Sequence, residues 1–161
     1  MIDKIIEAFK KLNEVEAILL GGSRATGTYD INSDYDLYVY LNEELTEEKR
    51  QDILNPFVTY MEYSNHFWEL EDDGILINGI VVEFIYRDIN DLDLMMENTV
   101  IKRNVSHGYS TCFVDNLLNS NILFDKNGRV EKLRSKYSKA ITDELFAEIV
   151  EYNYPILLDR M

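Results

Sequence analysis

Apolar residues in the first part of the chain change from helical spacing to strand-like runs. An amphipathic helix is predicted at the start, where apolar side chains recur every three or four residues up to Leu12. A buried strand is predicted from Val15 to Leu20, because this apolar run stops abruptly at Gly21-Gly22. A second strand is predicted from Asp36 to Leu41, a segment rich in β-favouring residues. The apolar positions of the helix are Ile2, Ile5, Ile6, Phe9 and Leu12.

The middle of the chain predicts a helix and then a hairpin. Thr46 is placed to cap the helix, and Pro56 interrupts it, although apolar residues continue one helical face as far as Met61. Asn78-Gly79 lies between two apolar arms within residues 75–86, which is the strongest short-range hairpin signal in a sequence. A further strand is predicted from His66 to Glu71.

The last third of the chain predicts helices around one short strand. The helices are expected at Leu92–Val100, at Thr111–Leu118 and after Thr142, with Pro155 bending or ending the last one. The strand is expected at Asn121–Phe124. The chain therefore predicts an α/β or α+β fold, in which helices flank a mixed sheet.

Composition is typical of a soluble globular domain. Of the 161 residues, 46% are hydrophobic and 29% are charged. The single cysteine, Cys112, excludes an internal disulfide and a thiolate metal cluster. We expect a cytoplasmic protein with no membrane association, since no signal peptide and no apolar run of about 18–20 residues is visible.

The net charge of −14 is unevenly distributed. Residues 62–97 hold one base, Arg87, against ten acids. Such a segment would repel a polyphosphate backbone, so we expect no binding of nucleic acid. The acid excess serves either solubility alone or a cleft that attracts metal ions or a cationic small molecule.

The residues that carry chemistry lie between the first two predicted strands. Glycines at the strand end let the backbone approach a ligand closely, and Ser23 stands at the start of a short helix, where N–H groups bind anions. Asp34 and Asp36 are two residues apart at the head of a strand, so both carboxylates point to the same side. Paired carboxylates repel unless a cation lies between them, and such oxygen ligands suit magnesium. The sequence predicts a phosphate cradle beside a magnesium site.

This pattern resembles the signature of a known superfamily. Gly22-Ser23, followed after ten residues by Asp34-x-Asp36, is similar to the motif of polymerase beta-like nucleotidyltransferases. The Gly-Gly-Ser-Arg-Ala-Thr-Gly form of residues 21–27 resembles the small bacterial branch, which includes aminoglycoside, lincosamide and minimal nucleotidyltransferases. The resemblance covers residues 15–41, with a looser similarity at 122–128. It implies a nucleotidyltransferase-type catalytic domain over residues 1–139 and a short C-terminal helical extension over 140–161.

The resemblance also implies a third carboxylate on a neighbouring apolar strand. Glu83 is the counterpart, although the family more often has aspartate there. One alternative is that Glu83 lies on an edge strand and faces water. Other candidates for the third ligand are Glu69 and Glu71.

By the same resemblance, Asp34, Asp36 and Glu83 are the catalytic and metal-binding residues, and they hold two magnesium ions, or manganese in their place. Gly22, Ser23 and Arg24 bind the nucleoside triphosphate, for which the family favours ATP. For Arg24 a surface salt bridge is an equal alternative. Ser33 and Thr26 are interpreted as turn caps, and neither His66 nor His107 is assigned a role.

Three classes of function remain open. The first is transfer of a nucleoside monophosphate, as AMP from ATP, to a hydroxyl of a small cationic acceptor such as an aminoglycoside-like antibiotic. The second is modification of a protein, as by an antitoxin of a toxin–antitoxin pair, and the third is non-catalytic nucleotide binding. The intact Ser23, Asp34 and Asp36 disfavour the third class. No general base is identified. The short helical extension indicates either a compact enzyme completed by a homodimer or an enzyme whose helical domain continued beyond Met161.

Overall fold

The computed structural model describes residues 1–66, 69–105 and 109–159. Its helices are α1 (Ile2–Phe9), α2 (Gly22–Thr26), α3 (Glu47–Leu54), α4 (Ile89–Met96), α5 (Tyr109–Asn119), α6 (Arg129–Tyr137) and α7 (Asp143–Asp159). Its strands are β1 (Val15–Leu20), β2 (Tyr35–Leu41), β3 (Val58–Asn65), β4 (Leu70–Leu76), β5 (Val81–Asp88) and β6 (Asn121–Asp125). A 3₁₀ turn spans Asn55–Phe57 and a π-helical turn spans Glu97–Ile101.

The strands form one mixed six-stranded sheet in the order β3-β4-β5-β2-β1-β6. Strands β2 and β5 are parallel neighbours, and the other adjacent pairs are antiparallel. The predicted hairpin is confirmed as β4–β5, and Gly79 at its turn has a φ of +85°, which favours glycine. The interior position of β5 places its side chains beside those of β2.

Each face of the sheet packs against a different set of helices. On one face, α1 and α3 cover a core that includes Phe9, Leu54 and Phe84. On the other face, residues of α4 to α7 pack on Tyr38, Tyr40 and other strand residues. Alternation of side chains along each strand separates the two cores. None of the described helices is long and apolar enough to span a membrane.

Two buried ion pairs connect elements that are far apart in sequence. Arg50 of α3 donates to Asp72 of β4 over 2.8 Å, and both side chains are at most 3% exposed. Arg87 of β5 donates from two nitrogens to Glu69, and its guanidinium lies over the ring of Tyr38. Because a buried charge without its partner is costly, these pairs specify where α3 and β4 dock.

Two sequence predictions need correction, and a third is narrowed. The segment after Pro56 does not continue the helix: Val58–Asn65 is strand β3, which pairs with β4. The strand expected from His66 to Glu71 begins only at Leu70; residues 67 and 68 lie outside the described residues. At Pro155, where a bend or an end of the last helix was expected, helix α7 does not end but continues to Asp159. The segment after Pro56 is a strand because it pairs with β4, and this pairing is not visible in the local spacing of apolar residues.

Candidate active site

The structure brings together the three carboxylates that the sequence analysis singled out. Ligand oxygens of Asp34, Asp36 and Glu83 lie within 4.8 Å of one another. Asp36 on β2 is in register with Glu83 on the parallel strand β5, and directly paired residues project from the same face of a sheet. Asp34 immediately precedes β2, two residues before Asp36. The interior position of β5 also excludes the alternative in which Glu83 stands on an edge strand.

The glycines between β1 and β2 let the backbone approach these carboxylates. The segment forms the predicted turn and short helix α2 between adjacent antiparallel strands. Gly22 has a φ of +62°, and a Cβ at this position would lie 1.8 Å from Oδ2 of Asp36. The N–H of Gly21 donates to the carbonyl oxygen of Asp36 over 2.8 Å. Only glycine fits at residue 22 with Asp36 in this place.

Arg24 joins α2 to the segment that carries Asp34. Its Nε donates to the carbonyl oxygens of Ser33 and Asp34 over 3.0 and 2.8 Å. The guanidinium lies 4.0 Å from the centroid of the Tyr35 ring, a cation–π contact. Arg24 therefore holds the backbone at the start of β2, and phosphate binding by this residue stays a prediction.

The two turn caps proposed from sequence are confirmed. The Ser33 hydroxyl accepts from the N–H of Asp30 over 3.0 Å, and the Thr26 hydroxyl donates to the carbonyl oxygen of Ser23 over 3.2 Å. Of the two histidines, His107 lies outside the described residues. These caps shape the loop between α2 and β2.

The electrostatics of the three carboxylates favour a bound cation. Burial, and next the neighbouring Asp34, raises the pKa of Asp36. Burial also raises the pKa of Glu83, with further contributions from Asp36 and Asp73. Among the described residues, no Lys or Arg forms an ion pair with any member of this triad. Three oxygen donors without a counter-charge fit a hard divalent cation, so these residues are suited to hold one.

Glu69 and Glu71, the other candidates for a third ligand, do not belong to the triad. Both carboxylate oxygens of Glu69 accept from Nε of Arg87, over 2.8 and 3.0 Å, so Glu69 belongs to a structural ion pair. Glu71 lies on β4 outside the triad, and burial together with Asp73 and Glu69 raises its pKa. Glu83 is the residue that the strand register places opposite Asp36.

Strand pairing extends the negative charge beyond the triad. Across β2, β5, β4 and β3, the register aligns Asp36 with Glu83, Glu83 with Asp73, and Asp73 with Glu62. We call these four residues the acidic row. Sequence reasoning recognised the charge of residues 62–97 but missed Asp73 and Glu62 as neighbours of the site. The signal that could have found Asp73 was the two-residue spacing of Glu69, just before β4, and of Glu71 and Asp73 on β4, which places the latter two on one face of the strand.

Comparison with known proteins agrees with this geometry. Residues 2–106 match the family described as "Nucleotidyltransferase domain". No curated protein matches the chain. Among solved structures, a crystal structure of a toxin–antitoxin with AMP-PNP is similar, with a TM-score of 0.44 and 15% identity over 99% of this chain and 97% of that chain. The family match includes the glycine turn and all three carboxylates, and the chain belongs to the nucleotidyltransferase domain family, whose members are enzymes of nucleotidyl transfer.

Proposed function

We propose that this nucleotidyltransferase transfers AMP from ATP to a hydroxyl group of a small cationic acceptor and releases pyrophosphate. The observation that carries this proposal is the convergence of Asp34, Asp36 and Glu83 within 4.8 Å, beside the turn at Gly22. In the reaction, the acceptor oxygen bonds to the α-phosphorus while the bond from that phosphorus to the pyrophosphate oxygen breaks. The hydroxyl proton leaves to a base that we do not assign.

In this proposal the three carboxylates would hold two magnesium ions, or manganese in their place. Asp34 and Asp36 would be ligands of both ions, and Glu83 would be a ligand of one of them. A bound divalent ion lowers the pKa of a coordinated hydroxyl and stabilises charge on the transferred phosphoryl group. The protein's contribution is to fix the three carboxylates in this arrangement before substrate arrives.

The nucleotide is held by the turn between β1 and β2. Gly22 and Ser23 bind the phosphates, since the first N–H groups of a helix have no partner within it. Arg24 is also proposed to bind the nucleotide. Its Nε donates to the carbonyl oxygens of Ser33 and Asp34, so phosphate binding would use the other N–H groups of the guanidinium. Positioning and electrostatic stabilisation supply most of the rate acceleration in phosphoryl transfer.

The proposal of a cationic acceptor is supported by the acids of the site that no base neutralises. Four of the ten acids in residues 62–97 are paired with bases: Glu69 with Arg87, Asp72 with Arg50, and Asp93 and Glu97 with Lys136. The acidic row, by contrast, forms no ion pair with a base among the described residues and leads from the triad to strand β3. A cation would be drawn along this row toward the triad.

Apolar side chains beside the acidic row complete a surface for such an acceptor. Tyr60, Ile75 and Val81 occupy the same face of the sheet and are 58%, 38% and 43% exposed. On this surface the amino groups of an acceptor would contact the acids, and its carbon framework would contact the apolar side chains. A polynucleotide would meet negative charge, so we propose that nucleic acid is not the acceptor.

We also propose that the catalytic unit is residues 1–139 with a helical extension at 140–161, and that the enzyme acts in the cytoplasm as a homodimer. Leu145 and Ile149 of α7 are buried in the core formed with α4 to α6. Sedimentation measures the oligomeric state, and a monomer at assay concentrations would refute the dimer.

Incubation with α-labelled ATP and magnesium tests the activity. The acceptors are aminoglycosides, lincosamides, their neutral analogues and candidate proteins, and Asp34→Asn is the inactive control. Label on a cationic small molecule, with turnover that falls as ionic strength rises, is expected. Label found only on protein would show that the acceptor is a protein and not a small molecule. Equal turnover of neutral and cationic acceptors at all salt concentrations would refute the role of the acidic row.

A further inference from the structure

A second feature of the site is a cavity between α2 and the C-terminal end of α5. It has a volume of about 360 Å³, within the range of about 300–1,000 Å³ typical of small-molecule sites. One wall is the segment Gly21–Thr28, and the other is formed by Asp115, Asn119 and Ser120. The residues of α5 belong to none of the motifs that the sequence shows.

The cavity and the triad share one glycine. Gly22 lines the cavity, and a Cβ there would lie 1.8 Å from Oδ2 of Asp36. On the same turn, a Cβ at Gly21 would lie 3.5 Å from Oγ of Ser120, at the end of α5. A ligand whose α-phosphate lies at the triad can therefore extend past this turn into the cavity.

The walls of the cavity are fixed by hydrogen bonds to the neighbouring elements. Arg134 of α6 donates to the carbonyl oxygens of Leu117 and Ser120, over 2.8 and 2.7 Å, which holds the end of α5. Asn121 donates to the carbonyl oxygen of Ala25 over 3.3 Å, which ties α2 to β6. The shape of the cavity is thus determined by the fold.

The polar groups of the cavity suit a neutral ligand with several hydroxyl groups. Asp115 and Asn119 are exposed, and Nδ2 of Asn119 donates to Oδ1 of Asp115 over 2.6 Å. This bond orients the pair and leaves a carboxylate oxygen and an amide oxygen as acceptors on the α5 wall. Hydroxyl groups line the cavity further, from Ser23, Thr26, Thr28 and Ser120. On this α5 wall, opposite Gly22 and Ser23, which are proposed to bind the phosphates, a phosphate would be repelled by the carboxylate, whereas a sugar hydroxyl would donate to it.

We infer that this cavity holds the ribose of the nucleoside triphosphate, with Asp115 and Asn119 recognising its hydroxyl groups. The inference rests on the proposed function, because it requires a nucleotide at the triad. It makes Asp115 and Asn119 determinants of specificity for ribonucleotides over deoxyribonucleotides. A site built to hydrogen-bond a hydroxyl discriminates against the analogue that lacks it.

Equilibrium binding tests this assignment without knowledge of the acceptor. Wild type, Asp115→Ala and Asn119→Ala are titrated with ATP, 2′-deoxyATP and 3′-deoxyATP in the presence of magnesium. The matched control is Asp91→Ala, which removes the same charge at an exposed position of α4. Both test positions are exposed, so the variants are expected to fold, and their melting curves check this.

Wild type is expected to bind ATP more tightly than at least one deoxy analogue by about tenfold, the effect of one hydrogen bond to a charged group. In Asp115→Ala and Asn119→Ala this preference should fall to about twofold or less, by weaker binding of ATP and unchanged binding of that analogue. Asp91→Ala should keep the wild-type preference. Equal binding of all three nucleotides by wild type, or equal weakening of all three by the variants, would overturn the ribose assignment and leave the proposed function standing. No binding of any nucleotide by wild type would overturn the proposed function itself.

Discussion

Replacement of Asp36 by asparagine should stabilise the metal-free protein while abolishing its response to magnesium and ATP. At 4.8 Å, the upper limit of the separation between the carboxylate oxygens of the triad, two unit charges repel by about 0.9 kcal/mol at the dielectric constant of water and by about 3.5 kcal/mol at an effective value of 20. Asp36 is half-buried, so we expect a gain near the lower figure, about 1 kcal/mol in the free energy of unfolding. For a domain of this size that gain raises Tm by about 2–4 °C.

The pH dependence of this gain has a definite sign. Because the pKa of Asp36 is raised in the folded protein, ionisation of this carboxyl costs stability as pH rises from the ordinary carboxyl range through the raised value. The asparagine variant does not pay this cost. The difference in Tm between variant and wild type should therefore be largest near neutral pH and shrink as pH falls through the raised pKa of Asp36.

The assay is a melting series on wild type and Asp36→Asn, with and without magnesium and ATP. Ligand at 100 times its Kd stabilises wild type by about 2.7 kcal/mol, and the variant should lose this increment. The matched control is Asp125→Asn, because the Asp125 oxygens accept from the N–H groups of Val130 and Glu131 over 3.3 and 3.0 Å. Asparagine keeps only one of these two acceptor oxygens, and loss of the other hydrogen bond should lower the free energy of unfolding by about 0.5–1 kcal/mol. An Asp36→Asn variant that melts clearly lower without metal, yet still gains from magnesium and ATP, would show that Asp36 is structural and refute the site.

Three further substitutions test the parts of the site separately. Glu83→Gln should keep the fold and lower nucleotidyl transfer by about 100-fold or more, with unchanged turnover arguing against Glu83 as the third ligand. Gly22→Ala should abolish transfer, because its Cβ would lie 1.8 Å from an Asp36 oxygen, whereas Gly27→Ala, at a φ of +76° with no neighbouring atom within 4 Å, should cost about 1 kcal/mol of stability and keep activity. Arg24→Lys should raise the KM for ATP by about tenfold or more at an unchanged magnesium requirement, as expected when a guanidinium that binds phosphate is lost. A raised magnesium requirement at unchanged KM would instead assign Arg24 to support of the backbone that carries Asp34.

Local spacing in the sequence was sufficient for the elements that carry the motif. The apolar run ending at Gly21 specifies β1, and the Asn78-Gly79 turn specifies the β4–β5 hairpin. The two-residue spacing of Asp34 and Asp36 placed both carboxylates on one side of the sheet before any tertiary contact was known. These features depend on backbone preferences and side-chain alternation within a few residues, which a single sequence displays directly.

Only the tertiary structure decided how distant segments meet. Residues after Pro56 are apolar at helical spacing, yet pairing with β4 makes them strand β3, and that pairing brings Glu62 beside Asp73. The choice of Glu83 over Glu69 depended on the parallel register of β5 with β2 and on Arg87, which binds Glu69 elsewhere. Strand pairing and ion pairing join residues far apart in the chain, and their free energy depends on the whole arrangement, so no local pattern of residues specifies them.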